Sequence, residues 1–200
     1  MCLFFETIKV LNRQMQNVHA HELRMDNARR VFFHSNDVTD LNKSIVLPAN
    51  LDNRLFKCRI VYNQKIQKVE FLSYTPKIIN TLRIVSDESI LYSYKYLDRS
   101  SLDTLVRSSD ADDILIVQHG LVTDISIANI VFFDGKKWFT PKKPLLFGIK
   151  RQILLEKRLI HESDISVKEL HKFEHAALIN AMLDIGDMPF IPIKNILPPI

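Results

Sequence analysis

The chain has 200 residues, 46% of them hydrophobic, and a formal net charge of +4, which is enough apolar material for a globular core. No run of about 18 apolar residues reads as a spanning helix, so a membrane partner is not expected. Its four glycines leave no Gly-x-Gly-x-x-Gly or Walker loop, and Cys2 and Cys58 form neither a disulfide framework nor a metal-type spacing.

Residues 3–10 read as a strand of aromatic and β-branched residues, followed by a turn at 12–14. Residues 19–33 read as a helix with Ala20, Leu23, Ala28, Val31 and Phe32 at helical spacing. Asp37 or Thr39 is the expected cap of a second helix that ends before Pro48. Residues 55–62 and 68–74 alternate as strands about Asn63-Gln64, and 75–91 reads as a crossing. Beyond it come a helix at 99–108 and strands at 114–117, 121–124, 130–133 and 137–139, with Asp134-Gly135 as a hairpin turn. Gly148 opens a helix to about residue 160, and 175–180 and 188–193 are the last strands. This order predicts an α+β protein of two subdomains, a small one over 1–86 and a larger one over 87–200, with a ligand site between them.

Three segments carry chemistry. Lys95, flanked by Tyr94 and Tyr96, is either an activated amine or an exposed lysine lying over a tyrosine. Asp124, a carboxylate among apolar neighbours, needs a partner: a cationic ring N–H, or its own backbone through Ser126. Lys150 and Arg151 place two cations in the first turn of the Gly148 helix, where the dipole favours an anion instead. Arg24 is a candidate phosphate fork or a surface partner of Glu22 or Asp26. An amine, a carboxylate and a helix start are what a protein needs to hold pyridoxal 5'-phosphate (PLP). The pI near 9.0 also admits a basic nucleic-acid module, but the basic residues are dispersed, and no nucleic-acid partner is expected.

Taken in order, these segments resemble the fold-type IV PLP enzymes, or class IV aminotransferases. This family includes branched-chain and D-amino acid aminotransferases and 4-amino-4-deoxychorismate lyases. The resemblance runs through Phe5-Glu6-Thr7-Ile8, His21-x-x-Arg24, Lys95-Tyr96-Leu97-Asp98-Arg99, Val122-Thr123-Asp124 to Asn129, Thr140-Pro141, Leu146 to Arg151, and Asn180-Ala181-Met182. The lysine segment is most similar to that of the deoxychorismate lyases.

The resemblance implies the D-amino acid aminotransferase-like fold and PLP as cofactor. It makes Lys95 the amine that bonds the cofactor and moves the substrate's α-proton, and Asp124 the partner of the pyridine nitrogen. Arg24, the backbone of Ile149 and Lys150, and the loop at Ala181 and Met182 are implied phosphate contacts. Glu6, Lys9 and Tyr96 are implied on the substrate side. The implied reaction is β-elimination releasing pyruvate or amino transfer, in a cytoplasmic homodimer acting on a small amino substrate, with no metal. A non-catalytic PLP-binding homologue is the alternative, favoured by two departures: most relatives carry glutamate at Asp124, and often threonine at Lys150. Longer relatives carry a segment ahead of the Phe5 strand that helps wall the substrate pocket, so substrate identity is not carried over from any one relative.

Overall fold

In a computed structural model, residues 2–199 are described. The chain divides into two compact units: one comprises the chain through Thr75 plus Tyr94–Asp98, the other Pro76–Ser93 plus the chain from Arg99. The expected division at 86/87 lies inside the second of these. The strand Leu82–Ser86, hidden in what read as a crossing, pairs in parallel with Asp113–Gln118.

The first unit is an antiparallel sheet of order β2-β1-β3-β4 with two helices: β1 Phe4–Leu11, β2 Gln14–Met15, α1 Val18–Phe33, α2 Leu41–Ser44, β3 Phe56–Tyr62 and β4 Ile66–Ser73. Asn12 and Arg13 both take positive φ, 50° and 58°, which matches the twist of a two-residue hairpin between β1 and β2. Along β1 the side chains of Phe4, Glu6, Ile8 and Val10 alternate inward, as strand periodicity requires. Glu6 is thus a carboxylate in an otherwise apolar row.

Helix α1 buries His21, Met25, Ala28 and Arg29. The expected apolar stripe is rotated: Leu23 is 58% exposed and Val31 also faces solvent. Polar side chains win the inward positions because their bonds lie there: His21 bonds Glu6, and Arg29 bonds Thr39 and the Gln64 carbonyl. Asp40 caps α2, accepting from the Lys43 N–H at 3.0 Å. Neither Asp37 nor Thr39 does so; Thr39 is engaged with Asp26 instead.

The segment 94–98 lies along the start of β1. Phe5 N–H donates to the Lys95 carbonyl at 2.9 Å and Leu97 N–H to Leu3 at 2.8 Å, with a bridge from Phe4 to Tyr96. Phe4 is central to an aromatic cluster, 4.9 Å from Phe32 and 5.2 Å from Tyr96 between ring centroids, with Tyr62 and Tyr94 around it.

The second unit contains β5 Leu82–Ser86, α3 Ser100–Arg107, β6 Asp113–Gln118, β7 Leu121–Ile125, β8 Asn129–Phe133, β9 Trp138–Pro141, α4 Ile149–Glu156, β10 His161–Ser163, a 3-10 turn Val167–Lys172, β11 His175–Ile179, β12 Ile191–Pro192 and β13 Ile196–Leu197. Two sheets form, of order β13-β5-β6-β7 and β10-β9-β8-β11-β12. One core joins them, with Leu115, Val117, Val122, Ile130, Phe132, Ala176 and Leu178 in contact. The Asp134-Gly135 hairpin forms as read, with Gly135 at φ 91°. Helix α4 stops four residues short of the expected end, where Arg158 turns to φ 58° and Ile160 enters the core.

Among the described residues no helix is long and apolar enough to cross a membrane. Phe4→Ala is expected to destabilise the protein by about 3–5 kcal/mol in urea unfolding, because the cluster cannot collapse around the void. Leu23→Ala, on the exposed face of α1, is expected to change stability by less than about 0.5 kcal/mol.

Candidate active site

In the first unit the site is built around Glu6. Its side chain is 0% exposed and meets three donors. Arg24 Nε donates to Oε1 at 2.9 Å, Arg24 Nη2 to Oε2, and His21 Nδ1 lies 2.7 Å from Oε2. Burial alone raises a carboxyl pKa, but the Arg24 charge and the bonds from His21 and Arg24 overcome it and hold Glu6 at about 2. His21 is pushed below the ordinary imidazole range, first by burial and against the pull of Glu6. A neutral His21 that donates its Nδ1–H to an ionised Glu6 satisfies both shifts.

Glu6, expected on the substrate side, has both carboxylate oxygens engaged by Arg24 and His21. Arg24 pairs with Glu6, while the two carboxylates expected to hold it have other partners. Glu22 accepts the Leu41 N–H, and Asp26 holds Thr39 and Arg29.

Lys95 is half-buried, with Nζ 4.7 Å from the centroid of the Phe5 ring, and it lies near enough to His21 for its charge to lower that imidazole's pKa. The flanking tyrosines pack into the aromatic cluster, so Tyr96 is first a core residue. Burial raises the pKa of its phenol. Lys9 is half-buried on β1.

In the second unit Asp124 sits near the end of β7 and is 4% exposed. It accepts from Asn129 Nδ2 at 2.7 Å and from the Leu146 N–H at 3.0 Å. Both donors are neutral. Burial pushes its pKa up to about 7, against those bonds and the more distant charge of Arg151. Ser126, the alternative partner read from the sequence, bonds Asp113 instead. Asn129 also donates to the Leu146 carbonyl at 2.8 Å, so one amide ties β8 and the 145–148 turn to Asp124. A Cβ at Gly148 would come within 2.0 Å of Asn129 Oδ1, which is why glycine opens α4.

The first turn of α4 has no side-chain cap, and its two cations have protein partners. Lys150, 12% exposed, donates to Asp184 at 2.6 Å. Arg151 is buried, donating to the Pro141 carbonyl at 2.8 Å and to Glu162 at 2.6 Å, while its Nε is buried without a partner. In the loop after β11, the Met182 N–H is already bonded to Asn180 Oδ1 at 2.8 Å, which removes it as a phosphate donor in this arrangement and leaves Ala181 as the loop's remaining candidate. Sequence reasoning missed His21 as a partner of Glu6, and Asp184 and Glu162 as partners of the helix cations. Only the His21-x-x-Arg24 spacing, one helical turn, carried a signal for any of them.

The chain matches the family described as amino-transferase class IV over residues 3–196. It belongs to the class IV aminotransferases. A Haemophilus influenzae protein without an assigned activity is 39% identical over 181 residues, covering 89% of this chain and 96% of that one. A provisionally named 4-amino-4-deoxychorismate lyase from Haemophilus somnus has a solved structure that superposes with TM-score 0.83 at 34% identity, covering 91% of this chain and 97% of that one. An amino-acid aminotransferase from Mesorhizobium loti, also provisionally named, superposes with TM-score 0.75 at 18% identity over 96% of this chain and 98% of that one, a likeness of fold alone. Enzymes of this class depend on PLP, and the mixed α+β fold expected from the sequence is the one observed.

Two outcomes follow from the Asp124 cluster. Asp124 has a folded pKa of about 7 against an ordinary value of 3.8. A raised acid pKa costs nothing below the unfolded value and weakens the fold as pH rises from about 4 through 7. Cofactor-free protein is therefore expected to lose a few kcal/mol of stability between pH 4 and pH 8 in urea titrations, with a flatter slope in Asp124→Asn. Gly148→Ala is expected to push Asn129 off Asp124 and to lower the melting temperature, and Gly148→Ala with Asn129→Ala is expected to recover part of that loss.

Proposed function

We propose that this class IV aminotransferase family member is a PLP enzyme acting on a small amino substrate. We further propose that its reaction is the elimination of pyruvate from a 4-amino-4-deoxychorismate-like substrate. The observation that carries the cofactor reading is Asp124: a buried carboxylate with neutral donors only, fitted to a cationic ring N–H. The likeness to the Haemophilus somnus protein along nearly the whole of both chains supports the lyase branch.

When bound, PLP supplies an electron sink for the carbon that bears the substrate's amine. Lys95 is the amine that holds the cofactor and then takes the proton from that carbon. Its half-buried Nζ lies 4.7 Å from the Phe5 ring centroid, which holds the side chain in one place. Asp124 keeps the ring nitrogen protonated, and Asn129 and the Leu146 N–H fix the plane of its carboxylate. Arg24, the N–H groups of Ile149 and Lys150 at the uncapped start of α4, and the Ala181 loop receive the phosphate. Aspartate in place of glutamate is compatible with this role, because the Asn129 and Leu146 bonds hold the shorter side chain in one orientation. The enzyme works as a cytoplasmic homodimer, the assembly typical of the family it resembles.

The test begins with the purified protein, PLP and borohydride. Wild type is expected to retain the cofactor covalently at Lys95, read by mass spectrometry, and Lys95→Ala to retain none. Supplied with 4-amino-4-deoxychorismate, wild type is expected to release pyruvate, with a loss of about a thousandfold or more in Lys95→Ala. Amino transfer to a keto acid without pyruvate release would assign the chain to the aminotransferase branch. Covalent retention with neither reaction would favour the non-catalytic binder.

A further inference from the structure

We propose that Glu6 is a positioning residue that aims the guanidinium of Arg24 at the cofactor phosphate. The inference rests on the PLP reading above and adds to it a residue that touches neither cofactor nor substrate.

Glu6 occupies an inward position of β1 where its neighbours in the row are Phe4, Ile8 and Val10. A buried ion cluster is a poor source of stability, since apolar side chains of similar volume commonly serve as well or better. What such a cluster supplies is direction. Arg24 gives Glu6 its Nε and Nη2, the two donors of one edge of the fork, and this pairing fixes the guanidinium plane rather than only its distance. Arg24 reaches Glu6 from the first half of α1, and His21, one turn earlier on the same helix, binds the second carboxylate oxygen at 2.7 Å. The carboxylate thus locks helix and strand together at the point where the arginine leaves the helix. The adjacent residue, Phe5, holds the Lys95 carbonyl through its N–H. Consecutive residues of one strand therefore set both the amine and the phosphate anchor of the first unit.

The experiment compares equilibrium binding of PLP and of pyridoxal, which lacks the phosphate, to the full chain. The proteins are wild type, Glu6→Gln, Arg24→Ala and the double variant, each with a melting curve. Glu6→Gln is expected to weaken PLP binding by about tenfold or more, leave pyridoxal binding unchanged, and add nothing in the Arg24→Ala background. Glu6→Asp keeps the charge, is expected to bind PLP between wild type and Glu6→Gln, and carries the same comparison where Glu6→Gln does not fold. Equal losses for both ligands, or full additivity with Arg24→Ala, would overturn the proposal and leave Glu6 a purely structural residue. A wild type that binds no PLP would sink the cofactor reading itself and this inference with it, an outcome distinct from either of those.

Discussion

Removing a carboxylate from water costs several kcal/mol unless donors or cations replace what water supplied. Glu6 in the first unit and Asp124 in the second are both such groups, and their solutions are opposite. Glu6 receives a bidentate guanidinium and an imidazole N–H, and stays ionised down to about pH 2. Asp124 receives an amide and a backbone N–H, neither charged, and its pKa rises to about 7. The first site is electrostatically complete within the chain. The second carries a cost that a bound cation would remove. On the proposed reading, the ring N–H of bound PLP is that cation.

Much of this was legible in the sequence, for reasons that differ by element. The β1 alternation, the Asp134-Gly135 hairpin and the glycine start of α4 are local patterns, and each forms as read, although α4 ends earlier than expected. Lys95, Asp124 and Arg24 stood out because their residue types recur in ordered motifs. What was illegible depended on distant partners. The inward face of α1 was misread because hydrophobic spacing favoured Leu23 and Val31, while the real determinant was a carboxylate on β1 that only the folded sheet brings to His21 and Arg24. Strand β5 was hidden because its alternation, Leu82 and Ile84 inward with Arg83 and Val85 between them, is only five residues long and is completed by pairing with β6 and β13 on either side.

The start of α4 shows the same dependence in its charges. Lys150 and Arg151 sit where the helix dipole is already positive, and the first turn has no acidic residue to offset them. The sequence alone suggested a bound anion as the compensation. The structure supplies protein carboxylates instead: Asp184 from the turn after β11 and Glu162 from β10. Arg151 is thereby committed to structure, since its guanidinium also holds the Pro141 carbonyl at the end of β9. Lys150 differs in that its partner Asp184 belongs to the loop after β11 rather than to a strand. On the proposed reading, a phosphate at the Ile149 and Lys150 N–H groups is attracted by the helix start, with the Lys150 ammonium largely neutralised in advance by Asp184. On that reading, lysine is compatible with an anion at this helix start because Asp184 offsets its charge. An ammonium paired at 2.6 Å adds little net charge at the helix start, which leaves the uncapped backbone N–H groups as the feature there that favours an anion.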